Sequence, residues 1–327
     1  MTVTLCIEER RWPMREPFVI ARQTITHQAG LVVSLETGDG LLARGEAYGV
    51  DYAGETPAIM RAQLEAVRSK IEAGLTRADA LTLLPTGGAR CALDAALWDL
   101  EAKRNPHGLT GVLGQSLMPV TTAFTIGMRS LSAYAETAAR CANLPLLKVK
   151  VNADDPLEAI RAVRKGAPDA ALIVDPNQAW SVAELKALAE PCVDLGVVLL
   201  EQPIAVGAEA GLEGWRSPLP LAADELINDV SDLDRAQGRF DVVNIKLDKC
   251  GGLTAALALA DAIEARGMRL MVGCMAGSSL AMAPAMVLAQ RCAFVDLDGP
   301  LLQSADWPDA LVYIAGVVQP PSRALWG

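Results

Sequence analysis

Histidine is nearly missing from the chain. Only His27 and His107 occur in 327 residues, and neither closes one of the apolar runs that fill the second half. A histidine base, a His–Asp dyad and a histidine-rich zinc site are therefore disfavoured. No phosphate-binding G-x-x-x-x-G-K-[ST] and no G-x-S-x-G occur, and Gly251-Gly252 lacks the rest of a dinucleotide fingerprint. No apolar run reaches the roughly 18 residues of a spanning helix. The start, MTVTLCIEERRWP, has no apolar core behind a basic segment, so no signal peptide is expected. Basic residues are the minority, 29 Lys and Arg against 39 Asp and Glu for a net charge of -10, which suits neither nucleic acid nor an anionic membrane. Disulfide signals are lacking as well: the seven cysteines are odd in number, widely spaced and without C-x-x-C. They read as reduced thiols in a reducing compartment, and the expected location is cytoplasmic.

What is present is a well-buried globular composition, 51% hydrophobic and 21% charged. Residues 1 to about 50 read as short strands, TVTLCIE, PFVIA, GLVVSLE and LLARGEA, with Gly38-Asp39-Gly40 as a turn. From about Thr56 to Arg104 the pattern is helical. CALDAALWDLEAKR repeats apolar residues at three and four, and Asn105-Pro106-His107-Gly108 ends it. From Pro119 short apolar runs alternate with alanine-rich helical stretches. LLKVKVN, ALIVDPNQ, VVLLEQP, LPLAADE, DVVNIKL, RLMVGCM and AFVDLDG are the runs. That alternation predicts parallel strands with crossover helices. Their end residues, Lys150, Asp175, Glu201, Asp224, Lys246, Gly273 and Asp296, recur every 22 to 27 residues. Charged residues at successive strand ends favour a closed barrel whose ends ring one site. The expected organisation is α/β: an α+β capping domain over 1–118, a barrel over 119–300, and a segment over 301–327 that returns to the capping domain.

Asp175, Glu201 and Asp224 close adjacent runs. Three carboxylates brought together repel one another unless a hard cation sits between them, and oxygen ligands select Mg²⁺ or Mn²⁺. Lys148 and Lys150 stand two apart on one strand and face the same way. Burial and a like-charged neighbour push a lysine pKa down, which would let Lys150 act as a base. Lys246 closes a run four strands later, across an eight-strand ring from Lys150, with Lys249 beyond it as a weaker candidate. Two opposed lysines suit removal of a proton from one face and its return to the other. Asp296 and Asp298 share a face and suggest a bound cation such as a substrate ammonium. Asp before Gly is equally a turn former. A barrel that merely binds a metal–carboxylate ligand would not need two opposed lysines.

With these residues assembled, the chain resembles the enolase superfamily in its muconate-lactonizing-type subgroup. RGEAYG, YAGET and ARCALDAALWDL carry the likeness in the first third. LKVK, VDPNQAW, LEQP, ADE and NIKLDKCGG carry it in the barrel. The resemblance implies a (β/α)7β barrel, a modified TIM barrel, under the capping domain. It also implies one Mg²⁺ on Asp175, Glu201 and Asp224, with enediolate chemistry between Lys150 and Lys246. VDLDGP, GCM and PFVIAR are similar to dipeptide epimerases of the L-Ala-D/L-Glu type of murein peptide metabolism. By that likeness Asp296 and Asp298 hold the dipeptide ammonium and Lys148 tunes Lys150. Thr125, Cys274 and Met275 line the pocket. The implied partner is a small dipeptide, with a homo-oligomer compatible. One departure concerns the loop after PFVIAR, where such enzymes carry an arginine that reads glutamate. Here Ile25 stands at about that place and Arg22 is nearby. N-acylamino acid racemisation, o-succinylbenzoate synthesis and muconate cycloisomerisation are the competing reactions on the same site.

Overall fold

A computed structural model describes residues 2–20 and 23–327. The amino-terminal part opens with a three-stranded antiparallel sheet of Val3–Ile20, Gln23–Thr37 and Leu42–Ala47. Here the expectation of several short strands is corrected. VTLCIE and PFVI belong to one 18-residue strand, joined through ERRWPMRE; Ala21 lies outside the described residues. Pro13 cannot donate to the ladder, and the register shifts between Pro13 and Phe18 instead of the strand ending. The two long strands therefore form a hairpin that runs on to Ile20 and Gln23, well past the sheet's third strand.

The helix Gly88–Arg104 covers this sheet. Gly45 makes the contact close: a Cβ there would lie 2.2 Å from Ala92 O and 2.6 Å from Ala96 N. The helix stops at Asn105, before Pro106, as its sequence predicts.

Eight parallel strands follow, in sheet order the same as chain order: Phe124–Ile126, Leu146–Lys150, Ala171–Asp175, Val197–Glu201, Leu221–Ala223, Val242–Lys246, Arg269–Gly273 and Phe294–Val295. The first and last meet through Ala123 N, which donates to Val295 O at 2.8 Å, and Leu297 N, which donates to Thr122 Oγ1 at 2.8 Å. This closes the ring. Crossover helices include Leu131–Arg140, Pro156–Gly166, Val182–Asp194 and Leu253–Glu264.

The last residues run back over the amino-terminal part. Trp307 Nε1 donates to Glu46, Arg44 donates to Ala324 O and Trp326 Nε1 donates to Ala95 O. All seven cysteines are free thiols. No described helix is long and apolar enough to cross a membrane.

Candidate active site

Alternate residues of each strand point to the barrel axis, so the interior is built in layers. The lowest layer is apolar: Ala123, Ile173, Leu199, Ala222, Val242 and Met271 touch one another, with Leu146 and Phe294 against them. Each of the eight strands or its leading residue supplies one. Two residues later the same strands supply Thr125, Lys148, Asp175, Glu201, Asp224, Asn244, Gly273 and Asp296, all buried. An apolar floor thus carries a ring of charged and polar groups. Gly273 leaves room in this ring for Asn244, whose Oδ1 a Cβ at Gly273 would approach to 2.7 Å. Two residues further still come Lys150, Lys246, Asn177, Met275 and Asp298.

The ring is knit by ammonium–carboxylate contacts. Lys148 Nζ lies 2.8 Å from Glu201 Oε1, 3.1 Å from Asp175 Oδ2 and 2.8 Å from Asp296 Oδ2. Lys150 Nζ donates to Asp175 Oδ2 at 2.6 Å and to Asn177 Oδ1 at 3.0 Å. Across the barrel Lys246 Nζ donates to Asp224 Oδ2 at 2.7 Å, and Lys249 Nζ reaches Asp224 Oδ1 at 2.7 Å. Asp298 Oδ2 accepts from Thr125 N at 2.5 Å, and Thr125 Oγ1 stands 3.4 Å from Asp296 Oδ1.

These contacts set the proton affinities. Burial works to raise Asp175 and Asp224, but the adjoining lysines hold both below the usual carboxylate range. Glu201 goes the other way: burial lifts it, and Asp175 and Asp224 oppose the help of Lys148. The expected depression of a site lysine is corrected for Lys148, and Lys246 behaves alike. Burial disfavours each ammonium, yet the carboxylates beside it outweigh burial and both are raised.

Asp175, Glu201 and Asp224 offer an all-oxygen donor set of the kind hard divalent cations take. Each carboxylate is turned onto a lysine. Among the described residues no three carboxylate, imidazole or thiol groups converge as a ready-made ion site. The fit shows in the chemistry of the set: three acids on neighbouring strands, with Glu201 held up by burial and then by the other two. Its buried Oε2 accepts no hydrogen bond of good direction, although Lys148 Nζ is 2.7 Å away.

Above the ring opens a cleft of about 420 Å³ that exposes Lys150 and Lys246 on one side and the hairpin residues Phe18, Ile20 and Ile25 on the other. Cys274 and Met275 line it as well. Arg22 lies outside the described residues.

Sequence reasoning passed over Asn177, Asn244 and Gln202. Asn244 Nδ2 donates to Glu201 at 2.9 Å, and Gln202 Oε1 accepts from Asp224 N at 2.8 Å. Asn244 precedes Lys246 by two on one strand, and that spacing was a usable signal. Asn177 and Gln202 follow strand ends with φ of 46° and 34°, left-handed geometry that a sequence pattern does not reveal.

Residues 131–323 match the enolase C-terminal domain-like family, and residues 2–114 match the mandelate racemase / muconate lactonizing enzyme N-terminal domain. The chain is 41% identical over 316 residues to the L-Ala-D/L-Glu epimerase of Escherichia coli (strain K12), across 96% of this chain and 98% of that one. It is 41% identical over 247 residues to an N-acetyl-D-glutamate racemase of Pseudoalteromonas sp, across 76% and 78%. Among solved structures, an enolase family member from Agrobacterium tumefaciens with homology to dipeptide epimerases superposes with a TM-score of 0.96 at 38% identity over 99% of both chains. It holds sodium and L-Ala-L-Glu with an ordered loop. A dipeptide epimerase from Methylococcus capsulatus, complexed with Mg and L-Arg-D-Lys, has a TM-score of 0.92 at 29% identity over 100% of this chain and 99% of that one.

Proposed function

The chain belongs to the mandelate racemase / muconate lactonizing enzyme family of the enolase superfamily, and we propose that it is a metal-dependent dipeptide epimerase, inverting the α-carbon of the second residue. The observation that carries this is the placement of Lys150 and Lys246 on strands four apart in the ring, both facing the same cleft.

A substrate carboxylate seated at the ring would put its α-carbon between the two ammonium groups. The lysine that acts as base must first give up its own proton, which at Lys246 requires Asp224 to be engaged elsewhere; it then takes the α-proton from its face, and the other, charged, delivers a proton to the opposite face. The stereoisomer bound decides which lysine plays which part. Asp175 and Asp224 hold the lysines in place by hydrogen bonds, and the apolar floor keeps water from the reacting carbon. Asp175, Glu201 and Asp224 are the residues that would hold a Mg²⁺ ion. When bound, the ion would supply positive charge against the charge that develops on the substrate carboxylate. Asp296 and Asp298 receive the dipeptide ammonium at the closing seam of the barrel. A cytoplasmic location fits the free thiols.

The Pseudoalteromonas relative favours a second reading, racemisation of an N-acylated amino acid. An acylated substrate would leave Asp298 without a cation to meet.

Lys150→Ala and Lys246→Ala test the proposal. Each should stop net epimerisation of a dipeptide that the wild type turns over. In D₂O each should exchange the α-proton of one isomer but not the other, with the isomers reversed between the two variants. Wild-type epimerisation by either variant would remove that lysine from the mechanism.

A further inference from the structure

Glu46, in the Leu42–Ala47 strand, is 1% exposed, and among the described residues no Lys, Arg or His forms an ion pair with its carboxylate. It accepts four hydrogen bonds from four separate segments. Oε1 takes Trp12 Nε1 at 2.9 Å and Tyr48 OH at 2.5 Å. Oε2 takes Ser278 Oγ at 2.5 Å and Trp307 Nε1 at 2.8 Å. Arg10 and Arg44 stand over the Trp307 ring, 4.5 and 4.9 Å from its centroid, rather than on the acid.

The donor types explain why the residue is a carboxylate. Each oxygen receives one indole N–H and one hydroxyl. A hydroxyl can turn and accept instead, whereas an indole N–H can only donate. Ser278 Oγ also stands 3.1 Å from Trp307 Nε1, but the carboxylate oxygen is nearer at 2.8 Å, so the position favours two acceptor oxygens. An amide offers one, and its NH₂ would face an indole N–H.

The cluster sits directly behind the cleft. Ser278 caps the short Ser279–Met282 helix and ends the loop that leaves the Arg269–Gly273 strand. Cys274, Met275 and Ala276 of that loop line the cleft. Ala276 holds φ at 55°, a strained value for a residue with a Cβ. Gly277 rests on Tyr48, where a Cβ would lie 2.2 Å from the ring. Tyr48 OH accepts Ser278 N at 3.0 Å. Gln28 Nε2 donates to Met275 O at 2.6 Å, and Gln303 Nε2 donates to Ala276 O at 2.8 Å. On the far side Gly299 approaches Gly277, with a Cβ at Gly299 only 2.6 Å from Gly277 O. The loop is clamped between the capping strands and the turn that carries Asp298.

From this geometry we infer that Glu46 is a positioning residue for the substrate cleft. It touches no substrate. It fixes the 274–278 loop, and through the Gly277–Gly299 contact it fixes the Asp296–Asp298 turn, by holding both indoles and Ser278 at once. As a statement about substrate binding this rests on the proposed reading of the cleft as a dipeptide site.

Glu46→Gln is the test, with Glu46→Gln/Trp307→Phe as its rescue, because removing one indole leaves the amide a donor set it can satisfy. For a dipeptide the wild type turns over, Glu46→Gln should raise KM about 10-fold with kcat within about 3-fold, and the double variant should recover most of that KM. Hydrogen exchange supplies a readout that needs no substrate. Amides of residues 274–280 should exchange at least about 10-fold faster in Glu46→Gln while the Val242–Lys246 strand keeps its protection. An unchanged KM together with unchanged exchange overturns the inference. So does a uniform rise in exchange across the barrel, which would mark a general packing role. Failure of the double variant to recover KM overturns the two-acceptor account. If the wild type epimerises no dipeptide, the function reading fails, and the exchange arm still decides the role of Glu46. Should Glu46→Gln not fold, the comparison is made between the double variant and Trp307→Phe, which should then match in KM and in loop exchange; a mismatch overturns the inference.

Discussion

Lys148 Nζ lies 2.8 Å from Asp296 Oδ2, so one of the two carboxylates offered to a ligand ammonium is already held by an ammonium of the chain. The same lysine reaches Glu201 and Asp175. It therefore ties the proposed metal end of the ring to the proposed ammonium end. Asp298 is differently placed. It accepts from the Thr125 backbone amide, and burial together with the charge of Asp296 raises its pKa. An incoming ammonium would relieve that strain at Asp298 more than at Asp296.

Asp298→Asn should accordingly raise KM for a free-amine dipeptide more than Asp296→Asn does, with the difference read by steady-state kinetics. A charge-assisted contact contributes roughly 1.5–3 kcal/mol, so acetylating the substrate amine should cost on the order of 10- to 100-fold in kcat/KM. The acetylated substrate should in turn be indifferent to Asp298→Asn. An acetylated substrate that outperforms the free dipeptide would favour the N-acyl racemase reading.

The metal proposal has its own readout. Of the three buried acids in the ring, Glu201 is raised by burial and further by Asp175 and Asp224, and a divalent ion among them would favour the charged form of all three. EDTA should abolish activity and Mg²⁺ restore it. Calorimetric Mg²⁺ binding should weaken at least about 10-fold in Glu201→Gln, since an amide keeps the shape but loses the charge. Full turnover after exhaustive chelation would sink the metal role.

Much of this ring was legible in the sequence because a strand's period of two is simple. Lys148 and Lys150, or Asp296 and Asp298, declare a shared face by spacing alone, and carboxylates closing successive apolar runs declare a common rim. Which partner each group takes was not legible. The sequence places Lys148 beside Lys150 and argues for repulsion, whereas the fold brings Asp175, Glu201 and Asp296 from three other strands around it, and attraction wins. The same holds for Glu46. Its four donors come from residues 12, 48, 278 and 307, and no local pattern announces them. The long hairpin was missed for a local reason. Pro13 and the charged residues around it imitate a loop, and pairing with Gln28 and His27 on one side and Gln303 and Ser304 on the other keeps that stretch extended.

Asp248 gives a pH test of the join between barrel and capping sheet. Its Oδ1 accepts Tyr48 N at 2.7 Å and Gly49 N at 2.8 Å. Burial, aided by the charge of Glu55, still pushes its pKa up to about 6 from a usual 3.8. The folded protein thus holds this proton more tightly than the unfolded chain. Its stability contribution is fully present below about pH 4 and is lost as pH rises through about 6. Glu46, Asp94 and Asp99 shift in the same sense. Asp175 and Asp224, which are lowered, titrate below this window. The metal-free protein should therefore melt lower at pH 7.5 than at pH 5. Asp248→Asn keeps the oxygen that accepts both amides and removes the titration. Its melting temperature should change less between the two pH values, by an amount equivalent to about 1–1.5 kcal/mol. Parallel melting curves for variant and wild type at both pH values would show that Asp248 carries no such linkage.

The side chain of the second residue is the remaining question of specificity, and part of the hairpin that lines the cleft is apolar. Phe18 pairs with Ile25 across the strands, Val19 with Thr24 and Ile20 with Gln23. Phe18, Ile20, Ile25 and Met275 line the cleft. Gln23 is engaged by Asp51, its Nε2 donating to Oδ2 at 2.5 Å. A glutamate carboxylate set against Phe18, Ile20 and Ile25 would lose hydration without gaining a cation from these three residues, a cost of the order of 1–3 kcal/mol, whereas a leucine side chain would gain burial. We expect kcat/KM for L-Ala-L-Leu to equal or exceed that for L-Ala-L-Glu. Ile25→Arg should reverse the order, favouring glutamate by roughly 10- to 100-fold through a charge-assisted contact. Two arginines provide the counter-test. Arg11 lines the cleft, and Arg22 directly precedes Gln23 in the sequence. If wild type prefers glutamate and Arg22→Ala or Arg11→Ala removes the preference, that arginine reads the carboxylate in place of the apolar wall. If the preference survives both substitutions, neither the apolar wall nor a hairpin arginine sets the choice.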